Sequence, residues 1–416
     1  MEAEVAENTT RLKNLPVLRF PEFTVELIPA KLEKVIKSVL YGPRFNANDY
    51  SENGNVKTIR GTDLGRDGEI KYHQVPLAYL DEKTISTHKL EDGDIVIITT
   101  ADCGATGVFR KQNIDFISSA YGVRIRLNEL GYPYYFKYFF QTRLSKKQIN
   151  SFIRKATVAN LPGSDIPKIK LFLPAISEQQ KIASFLTAVD DKIQQLAKKN
   201  DLLEKYKKGM MQLIFSQQIR FKDENGLGFP DWEERLLGKV VNIKKGEQLN
   251  KIELTVNGEF PCINGGITAS GYTDNFNTRE NTITISEGGN SCGFVNILRT
   301  KFWSGGHCYA LQVIDESSLN NEFLYQLLKF NESRIMKLRV GSGLPNIQKK
   351  DINLFNVVIP SSIKEQKRIS NFLSSLDNKT NLVTKQLKQT KQFKKGYWFT
   401  MYDACIFAHF DVKTLC

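Results

Sequence analysis

The amino-acid sequence predicts an α+β fold in which two similar regions of mixed helix and strand alternate with two long helices. Three observations support this prediction: an internal repeat, a heptad pattern in both copies of its most similar segment, and short β-branched runs bounded by glycine-rich turns. A chain of 416 residues is long enough for two or three domains.

The internal repeat is clearest in two segments that lie 187 residues apart. Residues 178–186 read EQQKIASFL, and residues 365–373 read EQKRISNFL. The match continues through Asp190 and Asp377 to a Lys-Lys-Gly triplet near the end of each copy. A proline lies shortly before each copy, as is common where a helix begins.

The regions before these two segments also correspond, although less closely. FISSAYGVRIRL at 116–127 aligns without gaps to FWSGGHCYALQV at 302–313, and FPEF at 20–23 resembles FPDW at 229–232. The repetition predicts two halves related by an internal pseudo-two-fold axis. The predicted segments are an N-terminal segment at 1–22, a first variable region at 23–174, a central helix at 175–222, a second variable region at 223–360, a C-terminal helix at 361–402 and an atypical tail at 403–416.

Both repeated segments carry apolar residues at the alternating spacing of four and three that is typical of a coiled coil. The polar Asn200 in this seam is of the kind that sets helix register. The alternative interpretation is two amphipathic helices that each pack on their own globular domain. The predicted seam residues are Ile182, Leu186, Val189, Ile193, Leu196 and Asn200 in the first helix, and Ile369, Leu373, Leu376, Val383 and Leu387 in the second.

The variable regions combine predicted strands with short helices. The β-branched runs IVII at 95–98 and ITI at 283–285 predict strands. The aromatic and leucine-rich runs FKYFF at 136–140 and FLYQLLKF at 323–330 predict short core helices. Glycine- and asparagine-rich stretches between these runs predict turns.

The composition favours a folded protein with an anionic partner. The chain has a net charge of +13, and its 41% hydrophobic residues are enough for a packed core. The excess positive charge lies mainly in the two helices, so the second variable region requires individually placed polar side chains if it binds DNA. The polar start and the lack of an 18-residue apolar run predict a cytoplasmic protein without a signal peptide or membrane span.

The sequence predicts neither a catalytic nor a metal site. The six cysteines form no CxxC pair, and the four histidines have no metal-ligand spacing. His307 next to Cys308 is interpreted as a structural pair rather than a pair of metal ligands. The chain also lacks GxxxxGK[ST], HExxH and GxSxG motifs and a run that resembles Asn-Pro-Pro-Tyr.

Polar segments punctuated by glycine occur at matching places in both variable regions. Arg, Asn, Gln, Ser and Thr side chains can pair with base edges, and glycine lets a backbone approach phosphate closely. A single segment of this kind is usually an ordinary surface loop, but their recurrence favours DNA binding. The candidates are Arg44, Asn46, Arg60, Thr62, Arg66, Thr99, Thr100, Thr106, Lys111, Ser118 and Tyr121 in the first region, and Lys245, Gln248, Asn264, Ser270, Tyr272, Arg279, Asn290, Ser291 and Lys301 in the second.

The chain resembles a DNA-specificity subunit of a type I restriction–modification complex. The resemblance rests on the EQQKIASFL and EQKRISNFL segments, the Lys-Lys-Gly triplets, and the IRGTDL and INGG runs, and it covers roughly residues 15–400. It implies two target-recognition domains, each reading one half of a bipartite asymmetric DNA site, with two antiparallel helices as a spacer between them. It also implies that this non-catalytic chain assembles with two methyltransferase subunits and two restriction/translocase subunits.

The resemblance also implies where the chemistry is carried out. This chain would bind no cofactor, and S-adenosylmethionine, ATP and Mg would be bound by the partner subunits that methylate adenine or restrict DNA. One departure lies at the end of the chain, where the residues after the second Lys-Lys-Gly differ from those after the first. The expectation is either an authentic extension or an end read in a shifted frame.

Two other functions are consistent with parts of the sequence. A stand-alone restriction nuclease could draw its carboxylates from scattered Asp and Glu residues, and would cut DNA with magnesium alone. A coiled-coil scaffold that binds only protein would fail to bind DNA even when a methyltransferase is present. The sequence does not reveal the recognised bases or the length of the spacer.

Overall fold

The computed structural model describes residues 19–155, 157–341 and 343–398, without the side chains of Lys251, Tyr397 and Trp398. The chain divides into two compact units. Unit 1 consists of the residues up to Gln195 together with those from Gln386 onward, and unit 2 consists of Leu196–Lys385. Two long helices, α4 (Ile176–Phe215) and α9 (Ile363–Trp398), each contribute to both units.

The described residues of unit 1 form nine strands in three sheets. A four-stranded antiparallel sheet has the order β2-β8-β5-β6, a three-stranded sheet has the order β4-β3-β7, and β1 pairs with β9. Its elements are β1 (Ile28–Lys31), β2 (Ile36–Tyr41), β3 (Val56–Ile59), β4 (Leu77–Ala78), α1 (Glu82–His88), β5 (Ile95–Ile98), β6 (Thr106–Val108), β7 (Phe116–Ser118), β8 (Gly122–Leu127), α2 (Pro133–Phe139), α3 (Arg143–Phe152) and β9 (Lys170–Leu173).

Unit 2 repeats this topology strand for strand. Its sheets have the orders β11-β17-β14-β15, β13-β12-β16 and β10-β18. Its elements are β10 (Trp232–Leu236), α5 (Leu237–Val240), β11 (Val241–Lys245), β12 (Phe260–Ile263), β13 (Gly271–Thr273), β14 (Thr282–Ser286), β15 (Val295–Leu298), β16 (Trp303–Ser304), β17 (Cys308–Val313), α6 (Asn321–Phe330), α7 (Glu332–Met336), α8 (Lys349–Asn353) and β18 (Asn356–Pro360).

The predicted α+β fold with an internal repeat is confirmed. In each unit the third strand pairs in parallel with the seventh, as β3 with β7 and β12 with β16. The sequence alignment of 116–127 with 302–313 makes β7 equivalent to β16 and β8 equivalent to β17. The predicted strands at 95–98 and 283–285 lie within β5 and β14, and the predicted helix at 323–330 lies within α6. The predicted helix at 136–140 extends one residue beyond the end of α2.

One detail of the sequence alignment was wrong. Phe20 was aligned with Phe229, but the packing of the rings makes Phe221 its equivalent. Phe20 packs edge-on against Phe185 of α4, and Phe221 packs in the same way on Phe372 of α9; both ring centroid distances are 5.9 Å. The second copy therefore has additional residues after this phenylalanine.

The central helix is shorter than the predicted segment 175–222. Helix α4 ends at Phe215 because Gln217 adopts a left-handed backbone conformation with φ 60°. The amide of Ile219 donates to the carbonyl of Leu213, which satisfies one of the carbonyls left open at the helix end. Helix α9 begins at Ile363; the predicted residues 399–402 and the tail at 403–416 lie outside the described residues.

Aromatic and aliphatic side chains join each globular region to its part of the helix pair. In unit 1, Phe136 of α2 belongs to the same buried cluster as Ile182 and Leu186 of α4. In unit 2, Phe323 of α6 belongs to the same cluster as Leu373 of α9. The heptad residues of the helices are thus part of the domain cores near the start of each helix.

Farther along the helices, the seam residues face the other helix. In unit 2, Asn200 accepts a hydrogen bond from Thr384 at 2.8 Å, and Lys207 donates to Asp377 at 2.6 Å. Residue numbers rise in one helix as they fall in the other, so the helices run antiparallel there. The predicted seam residues Ile182, Leu186, Leu196, Ile369, Leu373, Leu376 and Val383 are buried, while Val189, Ile193, Asn200 and Leu387 are half-buried.

Each long helix begins with a buried glutamine that binds three backbone groups. In unit 2, the side-chain nitrogen of Gln366 donates to the carbonyls of Ser318 and Pro360 at 2.9 and 2.8 Å. Its side-chain oxygen accepts from the amide of Asn320 at 2.8 Å. Gln179 makes the equivalent three bonds in unit 1. The glutamine therefore fastens the helix start to the globular region.

The substitution Gln366→Ala is expected to destabilise unit 2 by roughly 2–5 kcal/mol, because it leaves three backbone groups without their partner. Urea unfolding followed by circular dichroism measures this change. Gln386→Ala is the matched control, since this glutamine is exposed on the same helix and its loss should change stability by less than about 0.5 kcal/mol. Equal effects of the two substitutions would contradict the assigned role.

Candidate nucleic-acid interface

Five loops of unit 1 meet at one edge of its sheets. The amide of Gly42 donates to the carbonyl of Gly122, and the amide of Ser119 donates to that of Ile59. The amide of Leu161 donates to the carbonyl of Thr99. These backbone bonds join segments that are far apart in the sequence. We call this set the loop edge of unit 1; it comprises residues 42–46, 60–62, 99–104, 119–121 and 159–163.

The same edge is built in unit 2 by the same kinds of bond. The amide of Gly246 donates to the carbonyl of Cys308, that of Gly305 to Ile263, and that of Ile347 to Glu287. The loop edge of unit 2 comprises residues 246–250, 264–270, 287–293, 305–307 and 345–349.

Glycine is required where two of these loops cross. A Cβ atom on Gly42 would lie 2.1 Å from the carbonyl oxygen of Ser119. A Cβ atom on Gly246 would lie 2.2 Å from the carbonyl oxygen of Gly305. Both distances are far below van der Waals contact, so the backbones can approach only because neither residue has a side chain. The close packing of the loops therefore requires glycine at the equivalent positions 42 and 246 of the two units.

Four of the predicted DNA-binding residues of unit 1 are exposed on its loop edge, and two are half-exposed. Arg60 is partly engaged, because its guanidinium donates to the buried carboxylate of Asp63 at 3.1 and 3.2 Å. This interaction raises the pKa of Arg60, so the guanidinium is positively charged at neutral pH. The exposed residues are Arg44, Asn46, Thr62 and Tyr121, and the half-exposed ones are Arg60 and Thr100.

The structure corrects the prediction for three residues of unit 1. Thr99, Thr106 and Ser118 are buried, with exposed fractions of 2%, 8% and 2%. The Thr99 hydroxyl donates to the carbonyl of Tyr121 at 3.1 Å. These side chains lie in or next to strands and face inward, so they do not present their hydroxyl groups to DNA.

Two further candidates of unit 1 lie outside the loop edge. Arg66 is part of the turn at 65–68, where the side chain of Gln141 binds the carbonyl of Asp67. The amide of Lys111 donates to Asp92, and this segment follows β6 at the end of the sheet opposite Thr99. Both side chains are exposed, but they are not grouped with the other candidates.

In unit 2, six candidates lie on the loop edge or immediately before it. Asn264 is partly engaged, because its side-chain oxygen accepts from the amide of His307 at 3.1 Å. The Ser291 hydroxyl donates to the carbonyl of Gly265 at 2.5 Å, and Lys245 forms an ion pair with Glu287. Gln248, Ser270 and Asn290 are exposed.

The remaining three candidates of unit 2 lie away from this edge. Arg279 precedes the start of β14, at the end of that strand opposite the loop edge, and is 3.4 Å from Glu316. The Lys301 ammonium lies 4.6 Å from the centre of the Phe276 ring. Tyr272 lies in β13 and pairs with Thr255 through backbone hydrogen bonds. Only six of the nine predicted DNA-binding residues of unit 2 therefore lie on its loop edge or immediately before it.

Sequence reasoning missed two residues at the loop edge of unit 2. Glu287 is 4% exposed, and its carboxylate oxygen Oε1 accepts from Lys245 at 2.6 Å and from Tyr309 at 2.9 Å. The side chain of His307 is exposed, with Nδ1 3.5 Å from Glu287 Oε2. The ungapped repeat aligns His307 with Tyr121, which is itself one of the predicted DNA-binding residues.

Of the neighbouring residues His307 and Cys308, only Cys308 is buried. Burial by itself would raise the pKa of the Glu287 carboxyl. The hydrogen bonds from Lys245 and Tyr309 outweigh this effect and lower the pKa below its ordinary value. Glu287 is thus an ionised carboxylate at neutral pH.

Two kinds of feature are absent from the ranges that the structure describes. No cluster of three or more His, Cys, Asp or Glu side chains with the geometry of a metal site occurs in them. None of the helices formed by these residues has the length and apolar character needed to cross a bilayer.

Comparison with known proteins identifies a family that matches both halves of the chain and relatives that match about half of it. The family described as type I restriction modification DNA specificity domain matches residues 29–205 and 230–392. A putative type I specificity subunit of Mycoplasma genitalium is 30% identical over 187 residues, which are 44% of this chain and 49% of that protein. The type I restriction enzyme MjaIX specificity subunit of Methanocaldococcus jannaschii is 27% identical over 254 residues, 54% of this chain and 58% of that protein.

A solved structure shares the fold. The crystal structure of a type I restriction–modification S subunit from M. genitalium matches with a TM-score of 0.68 at 18% sequence identity, and the match covers 93% of this chain and 99% of that chain. In the sequence alignments, by contrast, the chain spans only about half the length of the mycoplasmal relatives that it matches.

Proposed function

Because the chain belongs to the family of type I restriction–modification DNA specificity domains, we propose that it is the sequence-specific DNA-binding subunit of such a complex. Each unit binds one half of a bipartite, asymmetric site on double-stranded DNA. The chain itself is not catalytic. Its partners are two methyltransferase subunits and two restriction/translocase subunits, which bind S-adenosylmethionine, ATP and Mg in the cytoplasm.

One observation carries this proposal: the two units build the same loop edge but expose different side chains on it. Arg44 of unit 1 corresponds to Gln248 of unit 2, and Arg60 corresponds to Asn264. Arginine pairs best with guanine, whereas glutamine and asparagine pair best with adenine. Equivalent frameworks with different side chains support recognition of two different half-sites.

The charge distribution is consistent with this mode of binding. The chain as a whole carries +13, which favours association with a polyanion. The loop edge of unit 2, however, includes the acidic residues Glu247 and Glu287 beside its polar candidates. Base recognition in unit 2 therefore depends on hydrogen bonds from individual side chains more than on a general positive field.

The proposal is tested by co-expressing the chain with its methyltransferase and mapping modified adenines in the host DNA. The expected result is one asymmetric sequence with two specified parts separated by a fixed number of unspecified bases. DNA cleavage by the purified chain with magnesium alone would instead favour a stand-alone nuclease. Absence of DNA binding even with the methyltransferase would favour a protein-binding scaffold.

A further inference from the structure

The backbone of Glu287 links three loops of unit 2. It is the first residue after β14, its amide donates to the carbonyl of His307 at 2.9 Å, and its carbonyl accepts from the amide of Ile347 at 2.9 Å. The thiol of Cys292 also lies 3.0 Å from this carbonyl. The backbone of Glu287 is therefore held by two other segments of the loop edge of unit 2 and by Cys292 of its own segment.

The carboxylate of Glu287 uses only one of its two oxygen atoms. Oε1 accepts both available hydrogen bonds, from Lys245 and Tyr309. Oε2 is buried and has no hydrogen-bond partner in the part of the chain that the structure describes. Nδ1 of the exposed His307 lies 3.5 Å from Oε2. A buried carboxylate oxygen without a hydrogen-bond donor is energetically unfavourable. A hydrogen on Nδ1 of His307 makes this nitrogen a donor for Oε2 of Glu287.

Unit 1 shows that the fold itself does not need this carboxylate. The residue equivalent to Glu287 is Thr99, whose hydroxyl is satisfied by the carbonyl of Tyr121. Val123 takes the place of Tyr309, and Tyr41 takes the place of Lys245. All three polar residues are thus replaced together in a unit with the same topology. The bonded group of Glu287, Lys245 and Tyr309 is therefore particular to the loop edge of unit 2.

The position of His307 itself is exposed in both units. Its side chain is 61% exposed, and that of the equivalent Tyr121 is 63% exposed. Each unit therefore presents a ring with a polar tip from the same tight turn between its seventh and eighth strands. In unit 2, a buried carboxylate lies next to this ring. When a carboxylate accepts from Nδ1–H of a neutral imidazole, it leaves Nε2 as a hydrogen-bond acceptor.

We propose that His307 contacts a base in the half-site of unit 2 and that Glu287 is the positioning residue that orients its ring. The base is one that presents an exocyclic amino group in the major groove, cytosine through N4 or adenine through N6, because that group is the donor that matches the Nε2 acceptor. This inference rests on the proposed function. His307 is the residue that discriminates between bases, and the exocyclic amino group is the feature that it recognises.

The test uses the chain in its complex with the methyltransferase, on duplexes that carry the mapped site. Methylation rates are measured for every single-base variant of both half-sites. His307→Ala should reduce discrimination at one base pair of the unit 2 half-site about tenfold and leave the unit 1 half-site unchanged. Glu287→Gln should weaken discrimination at that same pair, and the double variant should be no worse than His307→Ala alone.

Base analogues identify the amino group directly. At the affected pair, purine in place of adenine, or pyrimidin-2-one in place of cytosine, removes only that group. The wild-type complex should lose about as much discrimination on the analogue as His307→Ala loses on the natural duplex, and His307→Ala should lose nothing more. The response to one analogue and not the other distinguishes adenine from cytosine.

Controls keep the outcome unambiguous. Lys239→Ala is the control, because this exposed residue precedes β11 at the end of that strand opposite the loop edge; it should leave all rates unchanged. Thermal unfolding of each variant shows that unit 2 remains folded, and His307→Gln retains a polar side chain if the alanine variant unfolds. A uniform loss on all sequences, a change in the unit 1 half-site, or full discrimination by both folded His307 variants overturns the inference. Failure of the wild-type complex to methylate any specific sequence would instead overturn the proposed function.

Discussion

Replacing Arg220 by methionine is expected to destabilise unit 2 by about 3–5 kcal/mol, because it leaves the carboxylate of Glu365 buried without a counter-charge. The Glu365 side chain is 0% exposed and receives two hydrogen bonds from the guanidinium, at 3.1 and 2.9 Å. The same guanidinium donates to the carbonyls of Phe229 and Pro230. Its loss therefore also frees the segment that leads into β10.

The equivalent pair in unit 1, Arg19 with Glu178, shows that this arrangement belongs to the repeat. Chemical unfolding measures the loss, and Arg235→Met is the control because its ion pair with Glu233 is exposed and contributes at most about 1 kcal/mol. The double variant Arg220→Met, Glu365→Gln should recover part of the stability, since no buried charge remains. A loss below 1 kcal/mol for Arg220→Met would contradict the assigned burial.

Lengthening both long helices by one heptad is expected to move the two half-sites apart without changing their bases. Seven residues add about 10.5 Å of helix, which is roughly three base pairs of B-DNA. The insertions follow Leu196 in α4 and Leu387 in α9, so that the heptad phase is retained in both helices. DNA with the original spacer should lose modification almost completely, whereas DNA with a spacer longer by up to three pairs should be modified.

A four-residue insertion after Leu196 alone is the informative control. It displaces Asn200 and Lys207 from their partners in α9 and disturbs the heptad phase, so it should reduce stability. Modified adenines are mapped for both variants. If the active double-insertion variant kept the original spacer, the helices would not determine the separation of the half-sites. If its half-site bases changed, the helices and the loop edges would not be independent.

The parts of the fold that sequence reasoning predicted are those with a regular period or an internal copy. The heptads identified seam residues that are buried or half-buried, and the repeat aligned 116–127 with 302–313 strand for strand. Hydrophobic periodicity reports burial directly, so these predictions needed no knowledge of long-range contacts. The helix end at Phe215 was missed because the left-handed conformation of Gln217 is unusual for a residue other than glycine.

The candidate site was only partly predictable, because polar residue types do not report which way a side chain faces. Thr99 and Ser118 stand in glycine-rich segments like those of the exposed candidates, yet the ends of β5 and β7 turn them inward. The network around Glu287 joins residues from β11 and β17, which are more than 60 positions apart in the chain. Such contacts are set by sheet topology, which the local sequence does not encode.

Independent recognition by the two units is tested most directly by exchanging one of them. Strands β10 and β18 pair antiparallel and close the globular region of unit 2, so residues 237–355 can be replaced by the equivalent residues of a relative with a different specificity. Modified adenines are then mapped in cells that contain the chimera and its methyltransferase. We expect a new sequence in one half of the site, with the other half and the spacer length retained. A change in both halves would show that the two units form one composite recognition surface.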